Sequence, residues 1–149
     1  MEMKGEQLIV ADQAKTWSAI VDPQVLKACI PGCESVEKVS DTQYQVLMAA
    51  KVGPVSAKFK GRIDMLDTNP PNSYTLSFEG QGGVAGFAKG QANVVLVPEG
   101  SSTRLQYTAK AAVGGKLAQV GSRLIDGVAK MIADSFFKEF NKQVSGRDA

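Results

Sequence analysis

Cysteines, tyrosines, lysines and carboxylates are all that this chain offers for chemistry, because its 149 residues include no histidine. That absence removes Ser-His-Asp and Cys-His catalysis, histidine acid–base chemistry and most transition-metal sites. Cys29 and Cys33 stand four apart. A zinc site there would need at least two further carboxylate or water ligands, and a redox pair usually has two intervening residues rather than three. A reduced thiol pair is expected, with no metal and no cofactor. Gly80-x-Gly82-x-x-Ala85, with Glu99 further on, matches a dinucleotide-binding fingerprint on paper. The fingerprint needs a helix directly after it, and here the residues alternate as a strand, so a loop between two strands is the reading. Gly114-Gly115-Lys116 reads as a strand-to-helix corner.

The elements that would position these groups follow from periodicity. Lys4–Val10 reads as a strand, Asp12 as the cap of a short helix carrying Trp17, and Gln24–Cys29 as a second short helix after the Asp22-Pro23 break. Strands follow over Cys33–Val39, Gln43–Val52, Val55–Leu66, Tyr74–Gly80, Phe87–Val97 and Thr103–Val113, with links short enough for antiparallel neighbours. Lys116 to about Val144 reads as one long amphipathic helix. The expected fold class is α+β, one domain over 1–144 with a loose tail at 145–149.

Alternation places Val55, Ala57, Phe59, Gly61, Ile63 and Met65 on one face of a strand, with Ser56, Lys58, Lys60, Arg62 and Asp64 on the other. The inward set is Ala88, Gly90, Ala92, Val94 and Leu96 in the sixth strand, and Leu105, Tyr107, Ala109, Ala111 and Val113 in the seventh. Their small residues should meet in space. Leu117, Val120, Leu124, Val128, Met131 and Ile132 recur at helical spacing and are expected to face them, with Gly121 and Gly127 in the same helix. Small residues beneath a helix allow either close contact or a void. A strongly curved sheet cannot touch a straight helix along its whole length, which favours the void. The large groups placed near it are Trp17, Met48, Phe59, Phe78, Tyr107 and Met131, and a buried Tyr107 hydroxyl would want a partner. The lining set is completed by Ala88, Gly90, Ala109, Leu117, Val120, Leu124 and Val128.

The net charge of +2 is too weak to argue for nucleic acid. Lys51, Lys58, Lys60, Arg62, Lys89, Arg104 and Lys110 fall on outward strand faces, as a solvated surface or as a docking face for an acidic partner or anionic headgroups. No run is apolar for the roughly 18–20 residues that span a bilayer, and MEMKGEQLIV does not read as a secretory signal, so a cytoplasmic protein is expected.

IPGCESVEKV (30–39), KVGPVSAKFKG (51–61), GGVAGFAKGQA (82–92) and VGGKLAQVGSRLIDGVAKMIADSFF (113–137) resemble the CoxG-like family of carbon monoxide dehydrogenase subunits. That family falls in the START-like, helix-grip (SRPBCC) superfamily with the polyketide cyclases. The resemblance implies a curved antiparallel sheet of about seven strands wrapped on a long C-terminal helix, with two short helices after the first strand. It implies an internal cavity for a hydrophobic small molecule, quinone-like or lipid-like, and a molybdenum hydroxylase partner of the CO dehydrogenase type. It also implies transient contact with the inner membrane face. Anchoring members can carry a C-terminal membrane segment, whereas this sequence stops at Ala149. Binding without catalysis is the leading expectation; a cyclase- or aromatase-like enzyme and a ligand-free recruitment or assembly factor are the alternatives. A carboxylate deep in the cavity would favour the enzyme.

Overall fold

The computed structural model describes residues 1–146. Strand β1 (Glu2–Ile9) leads into helices α1 (Gln13–Ile20) and α2 (Pro23–Cys29). Asp12 caps α1, its carboxylate accepting from the Lys15 amide at 2.8 Å. Asp22 caps α2 in the same way through Gln24, and Pro23 occupies the first turn, where its missing N–H costs nothing. Six strands follow: β2 (Cys33–Lys38), β3 (Gln43–Val52), β4 (Val55–Asn69), β5 (Ser73–Gln81), β6 (Phe87–Glu99) and β7 (Ser102–Gly114). All seven form one antiparallel sheet in the order β1-β7-β6-β5-β4-β3-β2, so every hairpin pairs in sequence and only β1 crosses to meet β7. The alternation read from the sequence holds: along β4, Phe59 and Met65 are buried while Lys58, Lys60 and Arg62 are exposed.

The chain after the sheet departs from the expected single helix. Lys116–Gln119 forms a four-residue helix, α3, and the long helix α4 runs over Ser122–Gly146. Gly121 lies between them with φ +97°, a backbone conformation that side chains other than glycine's resist. The break separates the phase of Leu117 and Val120 from that of α4. The buried face of α4 is built from Ile125, Val128, Ile132, Phe136 and Phe140, while Leu124 and Met131, expected to face the sheet, are 38% and 56% exposed. Leu124 lies instead against Gly53 in the β3–β4 hairpin. The helix also continues through 145–146, where a tail was expected; residues 147–149 lie outside the described residues.

Two apolar clusters result. The larger joins α1, α2 and the second half of α4 to the middle of the sheet, with Ile9, Val25, Leu96, Leu105, Phe140 and Val144 almost fully enclosed. The smaller gathers Val52, Phe59, Ala85 and Leu117 at the end of the sheet where the helix breaks.

Candidate functional site: an apolar cavity with three phenols

Strand register assembles the floor of an internal space. Met3, Ala109, Ala92, Leu76 and Met65 stand opposite one another across β1, β7, β6, β5 and β4, and the neighbouring row is Gly5, Tyr107, Val94 and Tyr74. Ala92 and Ala109 are the shortest side chains of the first row, and above them α4 presents Ala133 with Phe136 and Phe137 on either side. Helix α2 contributes Leu26, and the residue after it, Ile30, closes another wall. Short side chains on both sheet and helix leave a cavity of about 250 Å³.

Among its lining residues the only side-chain nitrogen or oxygen atoms are the hydroxyls of Tyr44, Tyr74 and Tyr107, which are all the tyrosines in the chain. Each hydroxyl has its own setting. Tyr44 donates to the Val21 carbonyl at 2.6 Å and so ties the α1–α2 corner to β3. Burial raises its pKa, with Asp22 adding to the effect. Tyr74 is 5% exposed and meets Trp17 edge to face at 5.5 Å. Burial pushes its hydroxyl pKa well up, with Tyr44 assisting. Tyr107 is half-buried on the solvent side, stacked on Phe137. Its pKa is raised by burial and by Asp134, and lowered in part by Lys130. Lys130 and Asp134 pair with each other at 2.9 Å on the exposed face of α4.

Of the thirteen residues expected to line a ligand site, Tyr107 and Ala109 border the cavity. Trp17 stands one layer behind it, against Tyr74. Met48, Phe59, Ala88, Leu117, Val120 and Val128 come together in the smaller cluster instead. Gly90 is covered by Phe78: a Cβ on Gly90 would meet the Phe78 ring at 2.7 Å. Leu124 and Met131 lie outward, away from the cavity. The small-residue patch is therefore hollow only at Ala92 and Ala109. Tyr44 and Tyr74 were missed: Tyr74 shares a register row with Tyr107, with Val94 between them, and Tyr44 reaches the cavity from a different row on β3.

Other sequence signals resolve simply. Gly80 to Ala85 runs from the end of β5 through a three-residue 3-10 turn, Gly83–Ala85, and β6 follows at Phe87, with no helix to hold a pyrophosphate. Gly82 packs on Phe59 in the smaller cluster, away from the cavity. Glu99 is forked by Arg104 at 2.7 and 3.2 Å, which holds its carboxyl below the usual range. Lys58, Arg62 and Lys110 pair with Glu34, Asp64 and Glu2 on the outer face. Cys29 is buried and Cys33 half-buried, both as free thiols. Among the described residues no cluster could hold a metal, and no helix is long and apolar enough to cross a membrane.

Residues 5–145 match the sequence model of the carbon monoxide dehydrogenase subunits of the CoxG type. The chain belongs to the CoxG family. A conserved protein from Geobacillus kaustophilus is similar to this CoxG-family chain at 33% identity, with a TM-score of 0.92 over 98% of this chain and 96% of that one. A START superfamily protein from Mycobacterium smegmatis shares the fold at 15% identity, TM-score 0.74, covering 97% of each chain. The Zhui aromatase/cyclase from Streptomyces sp. R1128 does so at 11% identity, TM-score 0.73, over 100% of this chain and 96% of that one. At these identities the last two establish the helix-grip fold alone. No curated protein matches this CoxG-family sequence significantly.

Proposed function

We propose that this CoxG-family protein binds a neutral lipophilic molecule, quinone-like or lipid-like, in the cavity between sheet and α4, without transforming it. The observation that carries the reading is the lining: apolar carbon throughout, three phenols, and no carboxylate, lysine or arginine. Such a wall offers no carboxylate or amine to serve a cyclase as base or nucleophile, and burial keeps its phenols protonated. It rewards transfer of apolar surface from water at about 25 cal/mol per Å².

Size narrows the ligand. An apolar cavity of roughly 150 Å³ accepts benzene, and ligand pockets generally run from about 300 Å³ upward. At about 250 Å³ the space suits one or two fused rings or a short chain, so a long prenyl or acyl tail would extend out of it. The family match supports a partner of the CO dehydrogenase type, to which the protein would present the molecule. Membrane-surface contact during loading, on the cytoplasmic side, belongs to the same reading.

The test is solvent extraction of freshly purified protein with mass spectrometry of the extract, together with titration of the emptied protein with a naphthoquinone. A lipophile in the extract and saturable quinone binding are expected. A ligand-free extract together with no quinone binding would sink the proposal.

A further inference from the structure

Tyr74 poses a question that packing alone does not answer. It is 5% exposed and sits in the middle of β5, yet no described group accepts a hydrogen bond from it. Its neighbour Tyr44 donates to the Val21 carbonyl and makes no hydrogen bond with Tyr74. No side-chain polar atom in the described structure is both sealed off and unpaired, so the Tyr74 hydroxyl must border open space, and Tyr74 is part of the cavity wall. Phenylalanine would fill the same volume and bring no desolvation cost. An unpaired phenol on an apolar wall is expensive unless something brings it an acceptor.

We infer that Tyr74 selects the ligand, donating its hydroxyl proton to a carbonyl oxygen on a flat, uncharged ring system that enters the cavity oxygen first. This rests on the reading of the cavity as a binding site and adds to it the residue that recognises the guest and the guest's orientation. The acceptor is neutral because no cation lines the cavity to offset the burial of an anion. A ring is favoured over a chain because the walls beside Tyr74 are broad and rigid: Trp17 braces its ring edge-on, and Phe136 and Phe137 stand on the facing helix. Burial, which pushes the Tyr74 hydroxyl pKa upward, keeps it protonated and therefore able to donate.

The experiment compares two probes on the intact protein: a dimethylnaphthoquinone, whose blocked ring positions prevent addition of the Cys29 or Cys33 thiol, and the corresponding dimethylnaphthalene. The parent protein should bind the quinone about tenfold or more tightly than the hydrocarbon. Tyr74→Phe should erase that preference while keeping the hydrocarbon affinity. The infrared carbonyl band of the bound quinone should also move to lower wavenumber in the parent protein, a readout that does not depend on the variant folding. A preference that survives Tyr74→Phe, equal binding of both probes to the parent, or an unshifted carbonyl band would each overturn the assignment and leave the cavity reading intact. Failure of the parent to bind either probe would overturn the assignment, and together with a ligand-free extract it would overturn the cavity reading as well.

Discussion

The rings of Tyr107 and Phe137 stack with centroids 5.7 Å apart and planes 23° from parallel, joining the last strand to the last helix beside the cavity. Phe137 also meets Phe136 edge to face at 5.2 Å, so it braces the helical wall from two sides. Phe137→Ala should cost about 2–3 kcal/mol, below the roughly 3–5 kcal/mol of a fully enclosed phenylalanine because Phe137 is only half-buried. It should also widen the cavity. Urea unfolding reads the first effect, and improved binding of a three-ring quinone relative to a two-ring one reads the second.

Ala92 lies between Leu76 and Ala109 on the cavity floor. Ala92→Leu adds three carbons where empty space receives them, so it should lower quinone affinity at least about tenfold while leaving the melting temperature level or higher. A variant that binds quinone as the parent does would place the ligand elsewhere.

Tyr44 and Tyr74 should differ in what their hydroxyls do for stability. Tyr44→Phe removes the 2.6 Å bond to the Val21 carbonyl and should destabilise by about 1–2 kcal/mol. Tyr74→Phe removes an unpaired group and should leave the ligand-free protein as stable as the parent or more so. Equal losses in chemical denaturation would contradict the contrast.

Two glycines near the start of α4 should respond to alanine with opposite signs. Gly127 is helical and exposed, and a Cβ there would meet nothing within 4 Å, so Gly127→Ala should stabilise by about 1 kcal/mol. Gly121 also has open space, but its φ of +97° penalises a side chain, and Gly121→Ala should destabilise by about 1 kcal/mol or more. Paired thermal melts decide between these signs.

Cys29 makes alkaline stability informative. Burial, with a smaller contribution from Glu139, raises its thiol pKa from 9.0 to about 11. The unfolded chain therefore releases this proton first, so the contribution is complete below pH 9 and is lost as pH rises from 9 through about 11. Cys29→Ala should flatten the stability profile across that window. An unchanged slope would assign the alkaline loss to other groups.

Much of this architecture is legible in the sequence because period-two alternation is strict where one sheet face meets water. Lys58, Lys60 and Arg62 against Phe59 and Met65 fix both strand and facing, and Asp12 and Asp22-Pro23 mark the two short helices. The helix break was not legible, since LAQVGSRLIDGV keeps apolar residues at helical spacing straight through Gly121, whose backbone twist carries no periodic signal. Nor was the position of the cavity. Small residues extend from Ala88 to Ala92, yet Phe78 covers Gly90 and leaves only the stretch beyond it open. Which of two small patches stays hollow depends on a neighbour's side chain across the register, which a single strand's pattern does not contain.

The pairing of β1 with β7 has a bearing on biosynthesis. Glu2 to Ile9 find their ladder partners at Lys110 to Thr103, so residues 10–102 must all be synthesised before β1 can dock. Until then that segment is an unsatisfied edge, and any stalled or prematurely terminated product offers it to other chains.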